Sequence, residues 1–228
     1  MRQNIALVGT ALLCAGAVTS VSTARAQEAA YLEQRVAAPE NAFELKVNTG
    51  YTQGFGMIAP GRSIPDVAGA GFGVGVDADY RVDPTWSLGI QGEYQEFASR
   101  PLDTAARGLA GNIGATYHAM PFLRGDPYAR LGTGYRMLWQ VNPPGAPTAL
   151  LHGFELAKAT LGYDVRVSPD VALAPQVGAD LNLFVWQDQN GTNRALSTAQ
   201  VGTFISAGLQ GRFDMGGTSV GETQVARR

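Results

Sequence analysis

The residues of this chain that could do chemistry are few, and their spacing does not gather them. Its two histidines, His118 and His152, each lack a second His, Cys, Asp or Glu at a metal-ligand spacing. Gly217-Thr218-Ser219-Val220-Gly221 spells G-x-S-x-G. It lies in a polar tail, without the preceding strand and following helix that lift such a serine into reach of a base. The run Gly69 to Gly75 has the glycine content of a phosphate loop, but its glycines recur at every second residue and no Walker lysine follows. The only cysteine, Cys14, follows Leu13, where a lipoprotein acylation site needs a small residue. These residues predict no catalytic, cofactor-binding or metal-ligating set.

What the chain does carry is ordered charge. From about Ala42 onward it reads eight times as a strict two-residue alternation, with every charge on one set of positions. The acids of that set are Glu44, Asp77, Asp79, Glu93, Asp164, Asp180 and Asp214, and the bases are Lys46, Arg81, Arg130, Arg136, Lys158, Arg166 and Arg212. Seven therefore meet seven. The other set is apolar, as in Phe72, Val74, Val76, Ala78, Tyr80 and Val82, or Ala157, Ala159, Leu161, Tyr163, Val165 and Val167. A strand with lipid on one side and a polar lumen on the other has this pattern, because Arg or Lys at a bilayer midplane costs about 2–4 kcal/mol.

Elements that position such faces follow from the punctuation between them. Asp83-Pro84-Thr85 and Ser168-Pro169-Asp170 are tight turns, and Met120 to Asp126, with Pro121 and Gly125, is a third. The intervening connections, Gly56 to Ala68, Ala98 to Ala106, Val141 to Leu151 and Gln187 to Thr198, are long. Short turns at one end and long loops at the other are the asymmetry of outer-membrane barrels. Aromatics crowd both ends of the apolar face, with Phe43, Tyr80, Trp86, Tyr117 and Phe213 at the turn end and Tyr51, Phe72, Tyr94 and Trp139 at the loop end, as two interfacial girdles would. Pro175 marks an edge or bulge in the seventh strand, since it removes a ladder donor.

Residues 1–26 read as a signal peptide: Met1 and Arg2 begin it, Ile5 to Val18 is almost wholly apolar, and Ala24-Arg25-Ala26 is an A-x-A cleavage site. Without them 202 residues remain, carrying 15 Lys+Arg against 19 Asp+Glu. That balance offers nucleic acid no electrostatic footprint. No remaining run reaches the 18 or so apolar residues of a spanning helix, so spanning requires a closed barrel. The expected organisation is a periplasmic segment over 27–41, a barrel over 42–215 and a flexible periplasmic tail over 216–228.

The strand count, the segment Pro127-Tyr128-Ala129-Arg130-Leu131-Gly132-Thr133-Gly134-Tyr135 and the aromatic-ended last strand resemble the small outer-membrane β-barrel superfamily, the OmpA-like and OmpX-like proteins. The resemblance implies an all-β, eight-stranded antiparallel up-and-down transmembrane barrel in a Gram-negative outer membrane, inserted by the barrel-assembly machinery. Phe213 is followed by Gly216 to Arg228, so the usual terminal assembly signal is internal. The resemblance also implies a lumen filled by side chains, a structural or surface-interaction role through the loops, and no cofactor. The inward glycines are expected to make room for arginine side chains. Arg62, Arg100, Arg107 and Arg194 are candidates for lipopolysaccharide phosphates, with Asp66, Asp103 and Asp188 interleaved among them. Three alternatives stay open: a narrow channel or carrier for small solutes, a soluble lipocalin-like periplasmic binder with the apolar face inside, and a lipid-modifying barrel enzyme using His152, Glu155 and Ser197.

Overall fold

The alternation closes into a ring. The computed structural model describes residues 38–98, 105–141, 149–189 and 191–218; the signal peptide, most of the segment before the barrel, Arg100, Asp103 and the end of the tail lie outside these residues. In chain order the elements are β1 (Phe43–Ala59), β2 (Arg62–Ser63), helix α1 (Ile64–Val67), β3 (Ala70–Arg81), β4 (Trp86–Ala98), β5 (Ala105–His118), β6 (Gly125–Val141), β7 (Ala149–Ser168), β8 (Val171–Gln189), β9 (Thr192–Ala195) and β10 (Val201–Met215). Eight long strands pair antiparallel in the order β1-β3-β4-β5-β6-β7-β8-β10, and β10 pairs back onto β1 from Phe43↔Met215 to Gly56↔Gly202. Closure leaves the long ladders no open edge, which removes the main hazard of an exposed strand.

Burial follows the sequence period. In β3, Val74 and Val76 face outward and are exposed, while Asp77, Asp79 and Arg81 face inward and are buried. Ordinary globular burial is inverted through the middle of the barrel, with large apolar side chains such as Leu88, Ile90, Ile113 and Leu131 outside and charges such as Asp79, Arg81 and Arg212 inside.

One departure from strict alternation changes what faces the lumen. Strand β7 begins at Ala149, well before the expected start at Ala157, and a bulge between Glu155 and Ala157 turns two successive residues, Leu156 and Ala157, outward. A bulge carries one extra unpaired residue, so the inward set continues on the opposite parity with Glu155, Gly153 and Leu151. Two of the connections are also not the plain loops expected. The segment from 56 to 68 completes β1, pairs β2 against it and forms α1; the segment from 187 to 198 is largely a β8–β9 hairpin from Trp186↔Ala195 to Gln189↔Thr192. Pro175 marks neither an edge nor a bulge: β8 is paired on both sides, Pro175 lies opposite Leu209 of β10, and the β7–β8 register is unchanged from Gly162↔Gln176 to Val165↔Leu173, with only the intervening pairs missing beside the residue that lacks an N–H.

At the β3–β4 turn, Asp83 Oδ1 accepts from Thr85 N at 2.7 Å, Thr85 Oγ1 at 2.6 Å and Trp86 N at 2.9 Å. The Thr85 hydroxyl, with the two backbone donors, holds the Asp83 carboxyl below its ordinary value. A carboxylate with a depressed folded-state pKa contributes stability above its unfolded pKa and loses it as pH falls through the folded value. Wild type should therefore exceed Asp83→Asn in stability at neutral pH, and the gap should narrow below about pH 4. Unfolding midpoints of both proteins across pH 2–7 test this; a gap independent of pH would remove charge from the explanation.

Candidate functional site

Among the described residues the fold gathers its buried ionisable groups in the lumen, and it does so in two layers. Near the turn end, strands β1 and β3 set Glu44, Lys46, Asp79 and Arg81 side by side. Lys46 Nζ lies 3.0 Å from Glu44 and 2.6 Å from Asp79, and Arg81 Nε lies 2.6 Å from Glu44. Arg130 reaches Asp79 at 2.6 Å, Arg166 reaches Asp214 at 2.7 Å, and Arg212 reaches Asp164 at 2.6 Å. Asp77 accepts from Asn48 Nδ2 at 3.2 Å. Toward the loop end, Lys158 meets Glu93 at 2.5 Å, and Arg136 bridges Glu155 at 3.2 Å and Asp180 while donating to Gln95 at 2.6 Å.

All fourteen charges of the alternating set thus face the lumen, but they are not its whole complement. Glu155 and Asp126 are also wholly buried there, making nine acids against seven bases among the described residues. Glu155 escapes a period-two reading because the β7 bulge changes the parity. Asp126 escapes it because it is the second residue of β6, where the sequence reads as connection.

Asp126 also brings a histidine into the network. His118 Nδ1 lies 2.8 Å from Asp126 Oδ2 and 3.8 Å from Asp164 Oδ2, and all three residues are buried. A His-Asp-Asp cluster has ligand types suited to a cation. The surroundings oppose that use. Arg81 Nη2 lies 3.4 Å from His118 Nε2, so Nε2 is placed to accept and Nδ1 to carry the hydrogen given to Asp126. Asp164 is engaged by Arg212, whose positive charge occupies the side a cation would need. The arrangement suits an orienting hydrogen-bond chain between charge pairs.

Between the two layers lies a cavity of about 30 Å³ lined by Asn48, Gln91, Thr160, Gln176 and Ser206 together with Gly50, Gly73 and Gly208, space for about one water. The glycines here and nearby make two kinds of room. At Gly75 and Gly162 a Cβ would collide with the Asn48 and Tyr128 side chains, whereas at Gly50 and Gly208 it would strike the backbone of the neighbouring strand. Space for arginine is therefore only a small part of their role, with Arg130 Nε lying 3.3 Å from the Cβ position of Gly114.

Both mouths are covered. At the loop end, Ile64 and Val67 of α1 enter the barrel and pack with Ile58, Phe97, Leu138, Leu151, Phe184 and Phe204, all buried. Arg62 fastens this plug by donating to Gln140 and Gln187, each at 3.1 Å. At the turn end, Ala38 and Ala42 are fully buried, Ala38 N donates to Pro121 O at 3.0 Å, and Glu40 pairs with Thr218. Gly216 to Thr218, expected as the start of a free tail, instead help form this floor.

Among the described residues the outer surface carries no comparable site. His152 faces outward, stacked on Trp186 with ring centroids 5.5 Å apart, with Nδ1 2.5 Å from the Tyr135 hydroxyl. Glu155 points into the lumen and Ser197 is exposed near β9, so the three residues considered for acyl-chain chemistry are not brought together. Phe43, Tyr80, Trp86, Tyr117 and Phe213 lie exposed at the turn end, and Tyr51, Phe72 and Tyr94 at the loop end; Trp139 is half-buried there. Tyr163 adds to the first group, and Tyr135, Phe154 and Trp186 add to the second. The last two lie on strand segments that the sequence reads as loop or as a late strand end.

No family model matches the chain, and no curated protein matches it in sequence. Solved structures do match in three dimensions. The crystal structure of Neisserial surface protein A superposes with a TM-score of 0.53 at 15% identity, covering 75% of this chain and 96% of that one. The outer membrane protein OprG from Pseudomonas aeruginosa superposes with a TM-score of 0.52 at 12% identity, covering 78% and 99%. The closed ring, its connection asymmetry and these superpositions together give the chain the fold of the small eight-stranded outer-membrane β-barrels.

Proposed function

We propose that this protein is an integral outer-membrane barrel that works through its loop end, with a lumen that is structural filling and not a pathway. The observation that carries the reading is the double seal: an apolar plug above, a paired floor below, and two layers of ion pairs around a cavity large enough for about one water. An eight-stranded barrel has an interior only wide enough for side chains or one small ligand. The channel alternative would need both seals and both charge layers to move.

The apolar exterior counts against the inverted, lipocalin-like alternative. Leu131, Leu209 and Ile113 are each more than three-fifths exposed, and a water-soluble protein rarely presents a continuous apolar belt. In a bilayer that belt meets lipid chains, and the flanking aromatics meet the headgroups. Signal-peptide export and insertion by the assembly machinery belong to the same reading, as does the absence of enzymatic activity. Of the arginines considered for lipopolysaccharide, Arg62 is committed to the plug, Arg107 stands 3.4 Å from Glu96, and Arg194 is exposed on β9. Among the described residues, contact with lipopolysaccharide phosphates would therefore fall to Arg107 and Arg194; Arg100 lies outside them.

Refolded protein in a planar bilayer should show no steady conductance. Its unboiled form should migrate differently from its boiled form on an SDS gel. Steady conductance would return the lumen to a transport role, and recovery of the protein from the periplasmic extract without a gel shift would overturn the membrane reading.

A further inference from the structure

A second polar concavity lies at the loop end, outside the sealed lumen. Strands β8 and β9 form a hairpin whose register sorts its side chains by face: Gln187 pairs with Arg194 and Gln189 with Thr192, while Asp188 and Asn193 share the opposite face. That opposite face belongs to the outer wall, where Asn193 Nδ2 lies 3.5 Å from His152 Nε2. The first face looks over the mouth, since Gln187 Oε1 accepts from Arg62 of β2 at 3.1 Å. On it opens a cavity of about 250 Å³.

The lining is rich in donors and carries one sign of charge. Arg194 supplies a guanidinium, Thr192 and Ser197 supply hydroxyls, and Gln187 and Gln189 supply amides, with no acid in the wall. Asp188 is the acid of the hairpin, and the pleat turns it away. Because Arg62 takes the Gln187 carbonyl oxygen, the end of that side chain left for a guest is its amide nitrogen, which only donates. Leu196 completes the wall. Its side chain packs against the buried cluster of the plug and its N–H is given to Val185 O at 2.9 Å, so this side of the pocket is apolar and anchored. Arg107 has no such setting, being exposed and facing Glu96 at 3.4 Å.

A guanidinium fork matches either a carboxylate or a phosphate. The other donors decide between them. Two carboxylate oxygens cannot occupy a guanidinium, two amides and two hydroxyls, whereas a phosphate monoester offers three terminal oxygens and the hydroxyls of an attached sugar take up the rest. The C–H face of a sugar ring suits Leu196, and a cavity of about 250 Å³, just under the size of a drug-sized site, has room for one ring with its phosphate and not for a longer chain. We propose that this pocket binds a single phosphorylated sugar unit, with the phosphate on Arg194, the Gln187 amide turned toward it by Arg62, and the ring against Leu196. The inference rests on the loop end being the working surface of an outer-membrane barrel, and it names the chemistry that surface reads. The unit belongs either to a neighbouring lipopolysaccharide or to a soluble sugar phosphate, and the contacts are the same for both.

Glucose 6-phosphate is the probe. The full chain is refolded in phosphatidylcholine nanodiscs, its unboiled gel shift is checked on the same sample, and the probe is titrated while the glutamine side-chain amide signals are followed. Saturable shifts at Gln187 and Gln189 are expected, with the midpoint raised at least about tenfold in Arg194→Gln or when glucose replaces its phosphate ester, and unchanged in Asn193→Ala on the opposite face. No saturation in protein that shows the gel shift, or a midpoint indifferent to Arg194→Gln, would overturn the proposal. Absence of the gel shift would instead overturn the membrane reading beneath it. Nanodiscs containing lipopolysaccharide, set against phosphatidylglycerol nanodiscs of equal charge, separate the two sources: a higher midpoint in the first assigns the pocket to a lipopolysaccharide sugar phosphate already in place, and equal midpoints assign it to a soluble one.

Discussion

Replacing Arg136 with Met is expected to destabilise the folded barrel by about 3–5 kcal/mol, the cost of leaving buried charges uncompensated. Arg136 is the shared partner of Glu155 and Asp180, and it also donates to Gln95. Its removal leaves two carboxylates near one another, with only the Lys158 side chain on the same layer to answer both them and Glu93. Because the penalty belongs to the stranded acids, the triple change Arg136→Met/Glu155→Gln/Asp180→Asn should recover most of the loss. Denaturant unfolding of refolded protein in detergent, with the single, the double acid and the triple variants compared, measures it. A near-neutral Arg136→Met would show that water reaches this layer freely and that the plug above does not seal it.

Leu131→Arg is expected to cost about 2–4 kcal/mol in a bilayer. Leu131 is about two-thirds exposed and lies in the middle of β6, opposite Ala115 and Ala159. The control is Thr192→Arg on β9, beyond the belt and already exposed, which should stay within about 0.5 kcal/mol of wild type. Refolding titrations in lipid vesicles compare the two. Equal and small effects would mean that the belt faces water, and with that the outer-membrane proposal would fall.

These two variants probe features that differ in how visible they are before folding. The side on which Leu131 lies is legible from its neighbours, because side chains of a strand alternate and a one-residue slip would move every charge onto the apolar face. The lumen positions of Glu44, Lys46, Asp77, Asp79, Arg81, Glu93, Arg130, Arg136, Lys158, Asp164, Arg166, Asp180, Arg212 and Asp214 follow from that rule. The partners of Arg136 do not. Glu155 takes its place only because a bulge shifts the parity of β7, and no composition signal marks the bulge. Asp126 and His118 meet because β5 and β6 are hydrogen-bonded neighbours, and Asp164 joins them from β7.

The sequence by itself determined the strand faces, the ring of eight, the alternation of turns and loops and the sorting of charge from lipid-facing surface. All of these rest on a local period of two and on the high cost of charge in hydrocarbon. Only the tertiary structure decided which charges pair, that the acids outnumber the bases, and that both mouths are shut. Pairing depends on distances between strands far apart in the chain. The plug depends on Ile64 meeting notches at Gly54 and Gly202, residues that become neighbours only when the last strand closes onto the first.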